Sequence, residues 1–568
     1  MDLPADLRLI RFATPAALVC ALGLAGCSGT PAQAEAEAEA ESGGQTESSE
    51  SESGTSQLCE PGEVRCVDEG AVETCSDDGD AWEPTACAED EACVDCEDGS
   101  CVAACVGVCD QAWGAAGCSF YTTGLYQGSL PPMAEPPRDA IVVTNPDLKR
   151  SATVQLFWIS YGLTTEILDG NATLAPGESK VFELAPGLTD HEYPPEISLL
   201  RSGAMYHVVS DSPVVAHLHA PYGAVNSNES TLLLPERSLG QDYVILSHGA
   251  WVEPNYFVVI ALEDDTTVTW EPRVETAGDD MPVPFVDAGG SGVMVLDRYD
   301  NLRVETSAAT GRPKCEQDLS GTRVFADKPI WVMSAVRGLR LPWCGGSMVE
   351  GCDTIIDETC NFGSDFAIEQ AVPPQLWGTL YVGAHSPVRG AETHYWRVYA
   401  GADNLTVSTN PPQPGTPAVL AAVGDWVDLA APTGANLVFS ADGPILPVQY
   451  ISGHHDSAND MGSPAMVQAI PTDRFLDRYV FETGSGYEQH FAQAIRAVGG
   501  AEVTIDGSPV AGWEAIGAWE VANVEVSEGA HVVASDQPFG LAQYGYSQHI
   551  GPTDNSSGYA YVVGMRLD

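Results

Sequence analysis

From Cys118 onward, short apolar runs alternate with polar residues and stop at Gly, Pro, Asn or Asp. Period-two alternation rich in β-branched and aromatic residues predicts strands, and no sustained helical period interrupts it. One segment recurs. Ser210-Asp211-Ser212-Pro213-Val214-Val215 returns as Ala326-Asp327-Lys328-Pro329-Ile330-Trp331, as Ala441-Asp442-Gly443-Pro444-Ile445-Leu446, and as Ser535-Asp536-Gln537-Pro538-Phe539-Gly540. Each instance follows an apolar strand and leads into another, so Asp-x-Pro predicts a tight turn in which proline presets φ.

Other strands recur in the same order. Ser119–Leu125, Asp242–His248, Leu380–Ser386 and Arg478–Gly484 read as opening strands. Thr153–Leu156, Thr266–Trp270, Asn404–Val407 and Glu502–Ile505 read as middle strands. Leu232–Pro235, Val372–Pro374, Ala469–Pro471 and Tyr559–Val563 read as closing strands. Residues 119–568 are therefore expected to be four tandem β repeats of about 112 residues each. The repeats could close as a small propeller-like toroid or stand as packed β-sandwiches. No Ser/Gly/Pro-rich linker separates one copy from the next, which favours a compact assembly.

The N-terminal part has a different pattern. Arg8 and Arg11 precede the apolar stretch Phe12–Gly23, which is too short to span a bilayer. Leu24-Ala25-Gly26-Cys27 closes it as a lipobox, so residues 1–27 are expected to be a lipoprotein signal peptide with Cys27 as the acylated residue. The chain would then be exported and lipid-anchored to the outer membrane or cell surface, with Ser28 rather than aspartate after the cysteine favouring the outer membrane. Residues 28–58 hold seven glutamates and no basic residue, and read as a disordered acidic tether.

Residues 59–118 form a cysteine-dense module containing Cys59, Cys66, Cys75, Cys87, Cys93, Cys96, Cys101, Cys105, Cys109 and Cys118. Four further cysteines, Cys315, Cys344, Cys352 and Cys360, fall in the second copy. Two even, separated groups in an exported chain predict five disulfides and two, with connectivity left open. Cys93 and Cys96 make a CxxC, but no second pair stands at zinc-ribbon spacing, so disulfides are expected over zinc. Asp77, Asp78 and Asp80 resemble part of a calcium loop, yet the glutamate it needs is missing and a hairpin tip is expected.

Charge excludes one class of partner. Twenty-four Lys and Arg against 80 Asp and Glu leave no basic stripe for phosphate backbones, so nucleic acid is not expected as a partner. No GxSxG, HExxH, Walker loop or dinucleotide fingerprint is present, and no cofactor is expected. His454, His455, Asp456 and Asp460 form the best candidate metal cluster, set against the reading of a merely polar loop. His217 and His219 share one face of a strand, where packing is expected over ligation. Arg337, Arg340 and Trp343, at the start of an insertion running from Arg337 to Phe366, form a basic–apolar patch that suits an interface.

The lipobox, tether and cysteine-rich module, followed by Gly117-Cys118-Ser119-Phe120-Tyr121, resemble myxobacterial surface lipoproteins. Several stretches from Cys118 onward are similar to the N-terminal domain of the IgGFc-binding protein family. They are Leu232–Pro235 with Leu239–Val244, Glu263–Thr269, Leu319–Val324, Asp327-Lys328-Pro329-Ile330, Pro464–Met466 and Ile470-Pro471. The resemblance implies an extracellular binding module, but its matches are strands and turns and so transfer a fold rather than a site. Two functions follow from the sequence. The favoured one is a non-enzymatic lipoprotein that binds protein or glycan. The alternative is a hydrolase with its site assembled from loops of several copies, which two convergent carboxylates would favour.

Overall fold

The structure is a computed structural model. It describes residues 58–567 apart from 62, 69–70, 88–90, 95–103, 112–113, 126–137, 185–197, 224–227, 250–253, 279–281, 308–316, 342–363, 455–460 and 549–555. The chain divides into two compact units, Met1–Gly107 and Val108–Asp568. In the smaller unit Val64–Asp68, Ala71–Cys75 and Trp82–Ala86 form an antiparallel sheet, and Glu91–Val94 pairs with Ala104–Gly107. The turn between the second and third strands is the hairpin tip expected at Asp77–Asp80. Cys59 is bonded to Cys75, and Cys66 and Cys87 are also in disulfides. Arg65, the one basic residue of this stretch, sits 3.9 Å over the Trp82 ring and pairs with Glu73.

The larger unit is all-β as expected, with only short 3-10 turns besides its strands among the described residues. Cys109 is bonded to Cys118 inside it, so the cysteine-rich stretch crosses from one unit into the other. Around each Asp-x-Pro segment the strand pairing has the same order. In the first, the long strand Met205–Ala220 pairs through its first half with Gly117–Thr123 and Ala152–Ile159, and through its second half with Ala140–Thr144 and Glu229–Leu233. Leu437–Ile451 and Ala530–Ser547 behave alike with their own neighbours. In the second copy the strand is broken between Arg323–Ala326 and Ile330–Leu339, and its strands divide into a four-stranded and a five-stranded sheet.

Asp-x-Pro is therefore not a chain-reversing turn. In three copies it lies within one long strand that passes from one layer of the unit to the other. Proline is tolerated there because the ladder is locally broken, as the register shift between Val209 and Val214 shows. The aspartate caps the neighbouring strand. Asp211, Asp327 and Asp442 accept from the backbone N–H of Thr153, Thr267 and Thr406 at 2.7, 2.8 and 2.7 Å. In the fourth copy Gln537 accepts from Ala501 N–H instead, at 3.0 Å.

Two of the copies have a core of their own between two layers of strands. In the second copy Tyr243, Val268, Trp270 and Val324 from one sheet meet Phe257, Val259, Leu302 and Val332 from the other, and a similar core fills the fourth. These two cores pack between two layers, as in a sandwich and unlike a single-sheet propeller blade. Three copies are pinned at their start by a buried tyrosine: Tyr243, Tyr381 and Tyr479 accept from the N–H of Gly240, Gly378 and Leu476 and donate to the carbonyls of Ile330, Ile445 and Phe539. Phe120 takes this place in the first copy. The opening strand also meets the end of its own copy: a Cβ on Gly117 would lie 2.3 Å from Pro235, and one on Gly378 2.4 Å from Pro471.

Candidate functional site

The strands Glu229–Leu233, Asp365–Gln370, Ala465–Gln468 and Ser557–Val562 contact one another in a closed cycle; the expected closing segments Val372–Pro374 and Ala469–Pro471 are not strands themselves and follow directly after two of these. Side chains join strands that share no ladder. Glu229 accepts from the N–H of Met466 at 2.9 Å, Ala560 at 3.1 Å and Ser230 at 3.0 Å. Glu369 accepts from Thr231 Oγ1 at 2.7 Å and from the backbone and side-chain nitrogens of Gln468 at 2.8 and 2.9 Å. Gln370 Oε1 accepts from Leu234 N–H, and Asp365 Oδ1 from Asn228 N–H. Burial raises Glu369 to about 7 and Glu229 well above the usual carboxylate range, although the bonded donors oppose this.

His217 and His219 lie in the core, as their shared face suggested. His217 Nε2 is 3.2 Å from the Val563 carbonyl, His219 Nδ1 is 2.7 Å from Ser230 Oγ, and both rings pack on Tyr561. Burial pulls them down to about 4 and 3, and His248 and His394 to about 4 and 3. Burial raises Asp139 to about 7, like Glu369. Below the ordinary histidine value of 6.5 the unfolded chain takes up four protons on these imidazoles that the fold refuses, while the fold retains two on Asp139 and Glu369 and a further one on Glu229. The folded carboxyls take up their protons first, near pH 7, so the unfolded state binds more protons on balance only below about pH 6. Four protons against three leave about one in net, and stability is expected to fall between pH 6 and pH 5 by about 1 kcal/mol. Thermal unfolding at pH 6, 5.5 and 5 checks this: the midpoint should drop at each step, and a rise towards pH 5 would contradict it.

Four connections run from a long strand to a closing strand, and their described ends meet in sequence around one rim. Asn228 reaches Asp365. Gly453 N–H donates to the Leu341 carbonyl. His454 Nδ1 lies 2.8 Å from Ser556 Oγ, and Met461 bridges to Gln548. Tyr487, from the connection between Leu476–Glu482 and Gln489–Ala497 rather than from one of these four, donates to the Gly223 carbonyl and joins the fourth copy to the first. Two motifs far apart in sequence, the Arg340 segment and the His454 segment, are thereby neighbours.

The individual residues fare differently. Arg337 is buried and cannot serve as an exposed contact: its Nη2 is 3.0 Å from Glu305 Oε2, its Nε donates to the Pro254 carbonyl, and its guanidinium lies 5.4 Å from the Tyr256 ring. The strand runs on to Leu339, so the insertion begins after Leu341 rather than at Arg337. Arg340 is 9% exposed. Trp343 lies outside the described residues, as do Cys27, Cys96, Cys101, Cys315, Cys344, Cys352, Cys360, His455, Asp456 and Asp460. His454 is buried, and among the described residues no three His, Cys, Asp or Glu side chains are grouped to hold a metal.

A second anchor ties the second copy to the third. Arg397, buried over the Trp426 ring at 4.8 Å, reaches Asp318 at 2.6 Å and Asp428 at 2.6 and 2.9 Å. The Ser247 carbonyl accepts from Arg397, Tyr399 and Tyr450 at 3.2, 3.1 and 2.6 Å. The carboxylate–carboxamide hub and this anchor were not read from the sequence; their signal was a charged or amide residue inside a short apolar run.

The model of the family described as IgGFc binding protein matches residues 229–545, from the first closing strand into the last long strand and over half the chain. The chain belongs to the IgGFc binding protein family. The matched span takes in Glu229, Glu369, Gln468, the Arg397 anchor and three of the four Asp-x-Pro segments. No curated protein matches the chain. Among solved structures it is similar to "Biofilm associated protein - BSP domain", at 8% identity over 79% of this chain and 96% of that one, with a TM-score of 0.14. At that score the likeness carries no argument about fold or function.

Proposed function

We propose that this IgGFc binding protein family member is an exported lipoprotein, acylated at Cys27, that binds a protein or glycan partner at the cell envelope through the rim of its β scaffold. The reading is supported above all by membership of a family named for binding. The rim adds a location: the described ends of four connections meet there beside the polar-stapled hub, and recognition residues are commonly carried by loops on such scaffolds. The lipobox, the acidic tether of residues 28–58 and the disulfides fit display outside the inner membrane. No helix among the described residues is long and apolar enough to cross a membrane.

The part-exposed Met461 and exposed Gln548 are the rim positions best suited to a test. Envelope and extracellular material is passed over full-length protein and over a Met461→Arg, Gln548→Arg variant. Proteins or glycans retained by the first and lost by the second support the reading, and identical retention contradicts the rim as the contact surface.

A further inference from the structure

At the seam of the first two copies a polar relay remains that neither the hub nor the rim uses. Tyr121 on Gly117–Thr123 lies directly opposite His207 on the long strand, and Ser119 stands two residues along on the same face. Ser119 Oγ is 2.9 Å from His207 Nε2, and His207 Nδ1 is 2.9 Å from Glu166 Oε1 on the edge strand Glu166–Leu174. The imidazole cannot swing freely, because Tyr121 stacks on it with centroids 4.3 Å apart and planes 12° apart. Glu166 is itself fixed by the Tyr299 hydroxyl, which donates to Oε1 at 2.5 Å. A hydroxyl within hydrogen-bond reach of a base that a third group orients is the arrangement of an activated nucleophile.

One group interferes. The exposed carboxylate of Glu236 lies 2.6 Å from Ser119 Oγ, with the Tyr121 hydroxyl also donating to it at 3.2 Å. Serine has one proton and two acceptors in reach, and the closer, charged acceptor holds it. We propose that Ser119, His207 and Glu166 form a latent nucleophilic serine site for carboxylic esters, held in check by Glu236.

The chemistry balances without a cofactor. When Glu236 releases the serine proton, it passes to His207 Nε2 as Oγ bonds to the ester carbonyl carbon. The carbon–alkoxide bond breaks, and the alkoxide leaves with that proton from His207. Water then gives a proton to His207 as its oxygen bonds to the acyl carbon; the acyl carbon–Oγ bond breaks, the acid leaves, and Ser119 Oγ takes that proton back from His207. Burial holds His207 below the ordinary imidazole range while Glu166 raises it, which keeps a neutral base available at pH 7. Glu166 is a positioning residue in this scheme.

The test uses the full-length chain and a biotinylated fluorophosphonate, with the adduct located by peptide mass spectrometry. Slow labelling of Ser119 is expected in the wild type, and none in Ser119→Ala. Labelling should fall by about 100-fold or more in His207→Ala. Glu236→Ala should raise it by roughly tenfold, because His207 is then the only acceptor, and a gain of this kind cannot come from misfolding. In Glu166→Gln the pH midpoint of labelling should move down, since the imidazole loses the carboxylate that raises it. An unlabelled Ser119 in both wild type and Glu236→Ala would overturn the site, as would labelling that His207→Ala leaves unchanged.

Discussion

Replacing Glu305 by alanine is expected to cost about 3–5 kcal/mol of stability. Its side chain is fully buried between Arg303, whose Nε is 3.1 Å from Oε1, and Arg337, whose Nη2 is 3.0 Å from Oε2. Both guanidinium groups lie within 6 Å of the Tyr256 ring, at 5.6 and 5.4 Å, and neither can turn to water without disturbing the inner sheet of the second copy. Removing the shared carboxylate leaves two buried positive charges facing each other. Replacing all three groups with apolar residues of similar volume should cost much less, because no uncompensated charge is left. Chemical denaturation of Glu305→Ala and of a Glu305→Leu, Arg303→Met, Arg337→Met triple variant separates the two cases. A single variant that keeps wild-type stability would show that the pair contributes nothing to the fold.

The second large effect concerns location. Cys27→Ala should move the protein almost entirely from the membrane fraction to the soluble fraction. Two or more acyl chains anchor a protein stably where a single chain does not, and this substitution removes them all. Mass spectrometry of the wild type should find residues 1–26 removed and an acylated Cys27 at the new terminus. An unmodified N-terminus, or a Cys27→Ala chain that stays in the membrane, would contradict the anchor.

Most strands were legible where the sequence alternates, although the closing segments Val372–Pro374 and Ala469–Pro471 fall just after the strands they were expected to form, and the recurrence of Asp211, Asp327, Asp442 and Asp536 pointed to equivalent places in the fold. The meaning of the motif was less legible. Asp-x-Pro has the same local preference in a tight turn and in a broken ladder, and only the partner strands distinguish them. The hub was hidden for a related reason. Glu229 looks like the polar start of an apolar strand, and its partner Ala560 is 331 residues away. Arg337 looked like part of a surface patch because a charged residue beside a long insertion usually is exposed. Its burial depends on Glu305, 32 residues earlier and on another strand of the same sheet. Ser119 and His207 are 88 residues apart and carry no motif between them, so their contact exists only through strand register.

The claim that this scaffold binds through its rim is tested most directly by an affinity measurement. A soluble full-length chain carrying Cys27→Ala, with and without Met461→Arg and Gln548→Arg, is titrated against the partner recovered from the envelope. The account predicts saturable binding that the rim substitutions weaken by at least tenfold, about 1.4 kcal/mol, while the melting temperature is unchanged. Equal affinity in both proteins, or no saturable binding to any envelope protein or glycan, would contradict it.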